Sequence, residues 1–502
     1  MGFDILGQIS RGPEMIVMKF GGTSVEDAKA IQRVAQIVRG RLKSRPVVVV
    51  SAMGGVTDSL VRMSDTAAHG DLDSALAELQ IVKQRHYKAA HEFVRGKELL
   101  GLISEFGQMF DSFETLLKGV RALGELSPRT SDSLLSYGEV LSSVLVAAAF
   151  QAEGLATVHV DSRKVIVTDT THKGAGPDVE LTNEKLQSYV GPLLAAAKVP
   201  VMGGFIGATR DGVTTTLGRG GSDFSAAIVG AALSAERVEI WTDVEGMLTT
   251  DPRLCPDAHR IRAISFDEAA ELAYFGAKVL HPATLLPAVQ HDIPVYVLNS
   301  RNVKSTGTCI RSEAPPSRTM FRAIAAKKGV NVINVKAPRM LLAYGFLKSL
   351  FAVLENHRCP VDLVSTSEVS VSLVVDPSRD IAGIVPELKR LGEVEVETNK
   401  AIVCLVGRDI KGRVGIAASV FNVLANTGVN VHMISQGASE INISVVVDEA
   451  DVPRAVKALH GELFTKPLNQ RARKSKLPAV ASRSGQREPS YKLAALSAGG
   501  DD

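Results

Sequence analysis

The chain is 502 residues long, 45% hydrophobic and 22% charged, with a formal net charge of +3, a balance that fits a soluble protein of two to four domains. So small a net charge for this length proposes neither nucleic acid nor a membrane surface as a partner, and no apolar run stands out near the roughly 18 to 20 residues of a membrane helix. Residues 1–14 lack the regions of a secretory signal and are too acidic for a typical transit peptide, which makes the cytoplasm the expected compartment. The four cysteines, Cys255, Cys309, Cys359 and Cys404, show no CxxC spacing and read as reduced, structural thiols.

In chain order, the first predicted strand is Met15 to Phe20, followed at once by Gly21, Gly22, Thr23 and Ser24 and then by a helical pattern carrying Ile31, Val34, Ile37 and Val38 on one face. Glycines after a strand let the main chain approach a phosphate closely, and Lys19 at the strand's end can reach forward as a point charge. The spacing is neither a Walker loop nor GxGxxG. Pro46 to Val50 is a β-branched run of the kind buried on both faces of a parallel sheet. The small residues Ser51 to Thr57 after it fall where open α/β sheets place ligands. From Asp58 to Leu126 the pattern is helical, and Glu139 reads as the opening residue of a helix over Val140 to Phe150.

Further strands are predicted at Ala156 to Val160, Val199 to Phe205, Val238 to Trp241 and Val295 to Leu298, alternating with helices. That alternation argues for a three-layer α/β domain with a mostly parallel sheet. Between two of its elements lies Thr214 to Asp223 (TTTLGRGGSD), read as a loop ahead of a helix over Phe224 to Leu233. It gathers glycines, hydroxyls, a cation and a carboxylate in ten residues, and such a loop can aim amide N–H groups at an anion. His281, ahead of a proline, reads as a packing residue without chemistry.

After Pro315 and Pro316 an internal repeat appears: Ser349 to Asn356 reads again as Ser419 to Asn426, and Ser365 to Asp376 as Ser435 to Asp448. Each copy reads as an amphipathic helix, a strand, a polar turn and a second strand, and two copies side by side could bury one shared sheet surface. Residues 465–502 are rich in Lys, Arg, Ser and Ala and read as a disordered tail.

The motifs KFGGTSV (Lys19 to Val25), SYGE (Ser136 to Glu139), TTTLGRGGSD, WTDVEGMLTTDPR (Trp241 to Arg253) and FGAKVLHPAT (Phe275 to Thr284) together resemble aspartate kinase. The resemblance implies an amino acid kinase-like α/β catalytic domain over 15–312, after an extension over 1–14, and two ACT-like α+β domains over 322–397 and 399–464. It implies a monofunctional enzyme, since the fewer than about 40 residues that remain are far below the size of a further domain. The implied activity is ATP-dependent phosphorylation of the side-chain carboxylate of L-aspartate, the first step toward lysine, threonine and methionine, under feedback control.

Aspartate's side chain, with a pKa of about 3.9, is already ionised at neutral pH and needs no general base. The resemblance then implies roles residue by residue. Lys19, Asp223 and Lys278 are the catalytic set, with Asp223 orienting Lys19, and Thr57, Glu139, Arg219 and Ser222 contact aspartate. Lys19, Gly21, Gly22, Thr23, Thr242, Asp243, Leu248, Arg253, Lys278 and Val279 hold ATP, with Mg²⁺ arriving as MgATP. Leu248 stands where some relatives carry a tyrosine. Effector positions match Met340, Val361, Asp362, Thr366, Ser367 and Glu368, and the carboxylates of Asp362 and Glu368 favour lysine, with threonine as runner-up. A pair of ACT domains implies at least a homodimer. A non-catalytic amino-acid sensor on the same fold, or a sibling kinase acting on glutamate, acetylglutamate or UMP, is the alternative.

Overall fold

The computed structural model describes residues 15–276, 282–315, 319, 321–340, 344–377, 379, 381–408, 410, 414–436 and 441–464. Apolar runs and helical patterns alternate through the first part of the chain as β1 (Ile16–Phe20), α1 (Ala28–Arg39), β2 (Pro46–Val50), α2 (Val56–Ala68), α3 (Leu72–Phe93), α4 (Gly96–Leu123) and α5 (Pro128–Ala152). There follow β3 (Thr157–Val160), β4 (Val167–Thr168), α6 (Val179–Ala195), β5 (Val199–Gly203), β6 (Ile206–Thr209), β7 (Thr214–Thr216), α7 (Gly221–Ala232) and β8 (Arg237–Thr242). The domain ends with β9 (Ala263–Ser265), α8 (Phe266–Tyr274), α9 (Leu286–Gln290), β10 (Val295–Asn299) and β11 (Thr308–Arg311).

Eight of these strands form one sheet in the order β3-β5-β2-β1-β8-β10-β11-β9. The ladder is parallel from β3 to β10, and β11 runs antiparallel to β10. β1 and β2 are buried along their whole length, as parallel strands covered on both faces must be. The parallel arrangement brings the carboxyl ends of β1, β2, β5 and β8 to one edge, where ligands bind open α/β sheets.

The structure departs from the sequence expectation at two places. Glu139 does not open a helix: α5 starts at Pro128, capped by the Ser127 side chain, and Glu139 lies at its middle. This helix is also long and apolar enough by composition to cross a membrane, yet 78% of its most apolar window is buried inside the fold. Ala, Ser and Gly residues among its Leu and Val side chains let this core helix pack closely. The start of the Thr214 to Asp223 stretch is a strand, β7, which closes a hairpin with β6 in a separate sheet of order β4-β6-β7.

The second part of the chain supplies β12 (Ala323–Lys336), α10 (Phe346–Asn356), β13 (Val361–Thr366), β14 (Ser370–Val375), α11 (Ile381–Leu388), β15 (Glu393–Val406), α12 (Ile416–Asn426), β16 (Met433–Ser435), β17 (Asn442–Asp448) and α13 (Val452–Leu463). The two repeats share a single six-stranded sheet of order β13-β14-β12-β15-β17-β16. A division between residues 397 and 399 falls inside β15, whose residues 393–397 pair with the second half of β12 and whose residues 401–406 pair with the first half. The units are therefore interleaved instead of sequential. Alternate residues of the central strands face opposite ways: Ile324, Val403 and Leu405 pack under α12 and α13, Ile333 and Val335 under α10 and α11, while Val332, Cys404 and Val406 join the core of the catalytic part. All four cysteines are free thiols.

Candidate active site

Lys19 is the penultimate residue of β1 and Asp223 lies in the first turn of α7. Their side chains form an ion pair of 2.6 Å, and the residues are only 8% and 9% exposed. The pair opens on a cavity of about 720 Å³ whose walls include Lys19, Gly22, Thr57, Glu139, Arg219, Ser222 and Asp223. Seven residues named from the sequence, drawn from four separate segments, thus meet in one place. Arg219 has no ion-pair partner among the described residues.

Glu139 enters this wall because α5 runs directly against the end of β5. A Cβ on Gly203 would lie 3.0 Å from the Glu139 carbonyl oxygen and one on Gly138 2.9 Å from Ala52 Cβ, so only glycines permit the approach. One carboxyl oxygen of Glu139 accepts the Ala52 amide at 3.2 Å and the other has no partner. Burial pushes its pKa up to about 8, against opposing pulls from the Ala52 N–H and the Lys19 charge. The result is a carboxyl group poised for a cation.

The glycine turn after β1 divides differently from the expectation. Gly21 continues the parallel ladder, donating its N–H to the Trp241 carbonyl at 3.1 Å, and so is not available to a phosphate. Gly22 and Thr23 are the first residues of the short helical turn Gly22–Ser24, where amides have no acceptor within the helix. They are the amides left for an anion.

Thr242 ends β8 and Asp243 follows it, next to Trp241, whose carbonyl takes the Gly21 amide, and the Thr242 hydroxyl donates to Asp243 at 3.2 Å. Leu248 bridges to Arg260, and Arg253 is clamped by Asp251 through contacts of 2.7 to 3.1 Å with its side chain 88% exposed. None of these four lines the cavity. Lys278, Val279 and His281 lie outside the described residues.

Of the effector positions, Met340 and Val361 are half-buried, and Thr366, Ser367 and Glu368 are exposed. Asp362 is already engaged. It accepts Lys327 Nζ at 2.6 Å and the Tyr274 hydroxyl at 2.9 Å. The expectation of a waiting carboxylate is therefore corrected: any cation that uses Asp362 must compete with two partners.

Two residues of the site escaped the sequence. Asp132, fully buried in α5, accepts His172 Nδ1 at 2.7 Å, the Lys173 amide at 3.2 Å and the Thr216 hydroxyl at 2.7 Å. Lys173 itself lines the cavity. Neither the local pattern THKGAG around Lys173 nor the run around Asp132 marks these roles, because they come from a contact between segments about forty residues apart.

A parallel sheet with a buried lysine–carboxylate pair at its carboxyl edge, joined to an interleaved α+β pair, defines a phosphotransferase of the amino acid kinase class with a regulatory region. The amino acid kinase family profile matches residues 14–299, and an ACT domain profile matches residues 403–463. Lysine-sensitive aspartokinase 3 of Escherichia coli is 38% identical over 90% of this chain and 99% of its own, and the chloroplastic aspartokinase 2 of Arabidopsis thaliana 37% identical over 89% and 84%. The crystal structure of E. coli aspartokinase III with aspartate and ADP superposes with a TM-score of 0.77 at 37% identity, covering 90% of this chain and all of that one. The same enzyme with lysine and aspartate gives the same score. The chain belongs to the aspartokinase family.

Proposed function

We propose that the chain transfers the γ-phosphoryl group of ATP to the side-chain carboxylate of L-aspartate, forming 4-phospho-L-aspartate, with the labour divided as follows. The observation that carries this reading is the 2.6 Å Lys19–Asp223 pair facing, across one cavity, the partnerless oxygen of Glu139 and the unpaired guanidinium of Arg219. Arg219 takes the α-carboxylate of aspartate and Glu139 its α-ammonium, with Thr57 and Ser222 beside them. A side-chain carboxylate oxygen then attacks the γ-phosphorus as the bond to ADP breaks. Bringing two anions together is the main obstacle, so positioning and charge neutralisation supply the catalysis. Lys19, held by Asp223, neutralises the transferring group, with the Gly22 and Thr23 amides and Lys278 assisting. Thr242, Asp243, Leu248, Arg253 and Val279 form the nucleotide side, and Mg²⁺ travels with the triphosphate as part of the substrate.

The reading extends to control. The ACT region fits feedback by an end product, and lysine is the effector we favour, because a lysine-sensitive relative shares 38% identity over nearly the whole chain. A homodimer at least belongs to this reading, and the exposed Val364 and Ile434 on the edge strands β13 and β16 support it, since sheet edges are commonly covered by a partner. A sensor without catalysis is disfavoured by the assembled lysine–carboxylate pair.

The test is ADP release by the full chain with aspartate against glutamate, repeated on Lys19→Met. Aspartate alone drives turnover in the wild type. Lys19→Met strands the Asp223 carboxylate in a nearly dry site, which costs about 3 kcal/mol of stability as well as most of kcat. Lys19→Met/Asp223→Asn recovers the stability and not the turnover. Near wild-type turnover of folded Lys19→Met, or equal turnover of glutamate, sinks the reading.

A further inference from the structure

Lys173 stands in the turn between β4 and α6 with φ +63°, a left-handed conformation that side chains other than glycine adopt at a cost. The conformation is held from outside the turn. Both oxygens of the buried Asp132 carboxylate accept the Lys173 amide at 3.2 Å, and the same carboxylate takes His172 Nδ1 and the Thr216 hydroxyl, each at 2.7 Å. Asp132 lies about two turns ahead of Glu139 along α5, and Thr216 ends β7 just before the turn that carries Arg219. The contact is close on the other side as well: a Cβ on Gly218 would meet Gly174 Cα at 3.2 Å and the Lys173 carbonyl at 3.3 Å. The strained residue is thereby fixed to the two elements that supply Glu139 and Arg219.

Lys173 lines the same cavity as Lys19, Glu139 and Arg219, and its ammonium has no acidic partner among the described residues. A glycine would relieve the backbone at no steric cost. Strain retained at a cavity wall, where another residue type would remove it, is the pattern of a side chain kept for its chemistry. The cavity's other cations are differently placed: Lys19 is bound to Asp223 at 2.6 Å, which leaves Arg219 as its one other cation without a carboxylate.

We propose that Lys173 is a further substrate-binding residue, whose ammonium draws a dicarboxylate into the cavity and pairs with one of its carboxylates alongside Arg219. The inference rests on the reading that this cavity takes aspartate. Its consequences are opposite in sign for stability and for binding, which separates it from a structural role.

The experiment compares Lys173→Gly, Lys173→Met and Lys173→Arg in the full chain, by steady-state kinetics and thermal unfolding. Lys173→Gly and Lys173→Met each raise the aspartate KM about tenfold, the scale of a lost charge-assisted bond, with kcat and the ATP KM within twofold. Lys173→Arg keeps the wild-type KM. Lys173→Gly melts at or above the wild-type temperature, because relief of the left-handed strain offsets the greater freedom of its unfolded chain. The aspartate KM of the wild type also rises more steeply with salt than that of Lys173→Gly. An unchanged aspartate KM in both neutral variants overturns the proposal, as does a rise confined to the ATP KM. A wild type that does not turn over aspartate at all removes the underlying reading instead, and is seen before any variant is made.

Discussion

Glu139 carries the clearest consequence at the scale of a single residue. Its folded-state pKa is raised to about 8 from an ordinary 4.5, chiefly by burial, so it binds a proton in the folded enzyme over a window in which the unfolded chain does not. The folded state therefore loses stability as pH rises through that window. An ammonium group delivered by aspartate reverses the local balance and favours the carboxylate. Binding at pH 7 should release close to one proton, and aspartate affinity should climb from pH 6 to about 8 and then level. Calorimetry in buffers of different ionisation enthalpy measures the release directly; Glu139→Gln should abolish it and weaken aspartate about tenfold or more, as for a lost hydrogen bond to a charged group. No proton release by the wild type would mean that the substrate ammonium lies elsewhere. The candidate residues of this cavity were legible in the sequence because each sits in a short run of unusual composition. Glu139's burial was not, since the run SYGE looks like a helix start, and only the close packing of Gly138 and Gly203 turns it inward. Asp132 and Lys173 were invisible for the same reason: their partners are distant in the chain.

At the scale of elements, α8 is where the two parts of the molecule register. Its N-terminus closes a capping box between Ser265 and Glu268, and the residues at three-residue spacing share one face. Glu268 meets Arg322 at 3.3 Å, Glu271 accepts Asn442 at 2.6 Å, and the Tyr274 hydroxyl donates to Asp362 at 2.9 Å. Three different segments of the regulatory region therefore grip one helix, which leads through Phe275 and Gly276 toward Lys278. Burial first, and then the Asp362 charge, push the Tyr274 phenol up to about 12, so it remains a donor at neutral pH. If lysine uses Asp362, it competes with that donor. Tyr274→Phe should lower the half-inhibiting lysine concentration by about three- to tenfold, the worth of one hydrogen bond to a charged group, while leaving uninhibited kcat unchanged. An unshifted inhibition curve would remove Asp362 from the effector site. The parallel strands of the catalytic sheet were readable as β-branched runs, and the repeat was readable as such. The long strands β12 and β15 were not, because each serves both units and so carries no repeat signal of its own. The Ser127-Pro128 cap of α5 was present in the sequence as a start signal, but the later SYGE motif drew the boundary away from it.

For the whole molecule, the question is whether the catalytic part stands alone. The family-level division suggests that it could, since the kinase profile ends at residue 299. The packing argues otherwise. Glu268 is fully buried, with its side chain paired to Arg322, which is itself 10% exposed. Val332, Cys404 and Val406 belong to the same core as Ile264, Phe266 and Phe275. Ending the chain at residue 312 would remove the guanidinium from a buried carboxylate, a loss of about 3 to 5 kcal/mol, and would also expose the apolar residues of α8 that the regulatory sheet covers. That loss is a large share of the few kcal/mol by which a domain is stable. Residues 15–312 alone should therefore melt well below the full chain, by more than about 5 °C, and should aggregate from the exposed face. Glu268→Gln in the shortened chain replaces the stranded charge with a neutral side chain that still accepts from the Ser265 amide. It should recover part of the lost melting temperature, although in the full chain the same change is destabilising because it breaks the pair with Arg322. Calorimetry on the four proteins reads both signs. Equal melting temperatures for the short and full chains would show that the catalytic part is independent, and a Glu268→Gln change that lowers both would place the destabilisation in the apolar face instead of the buried charge.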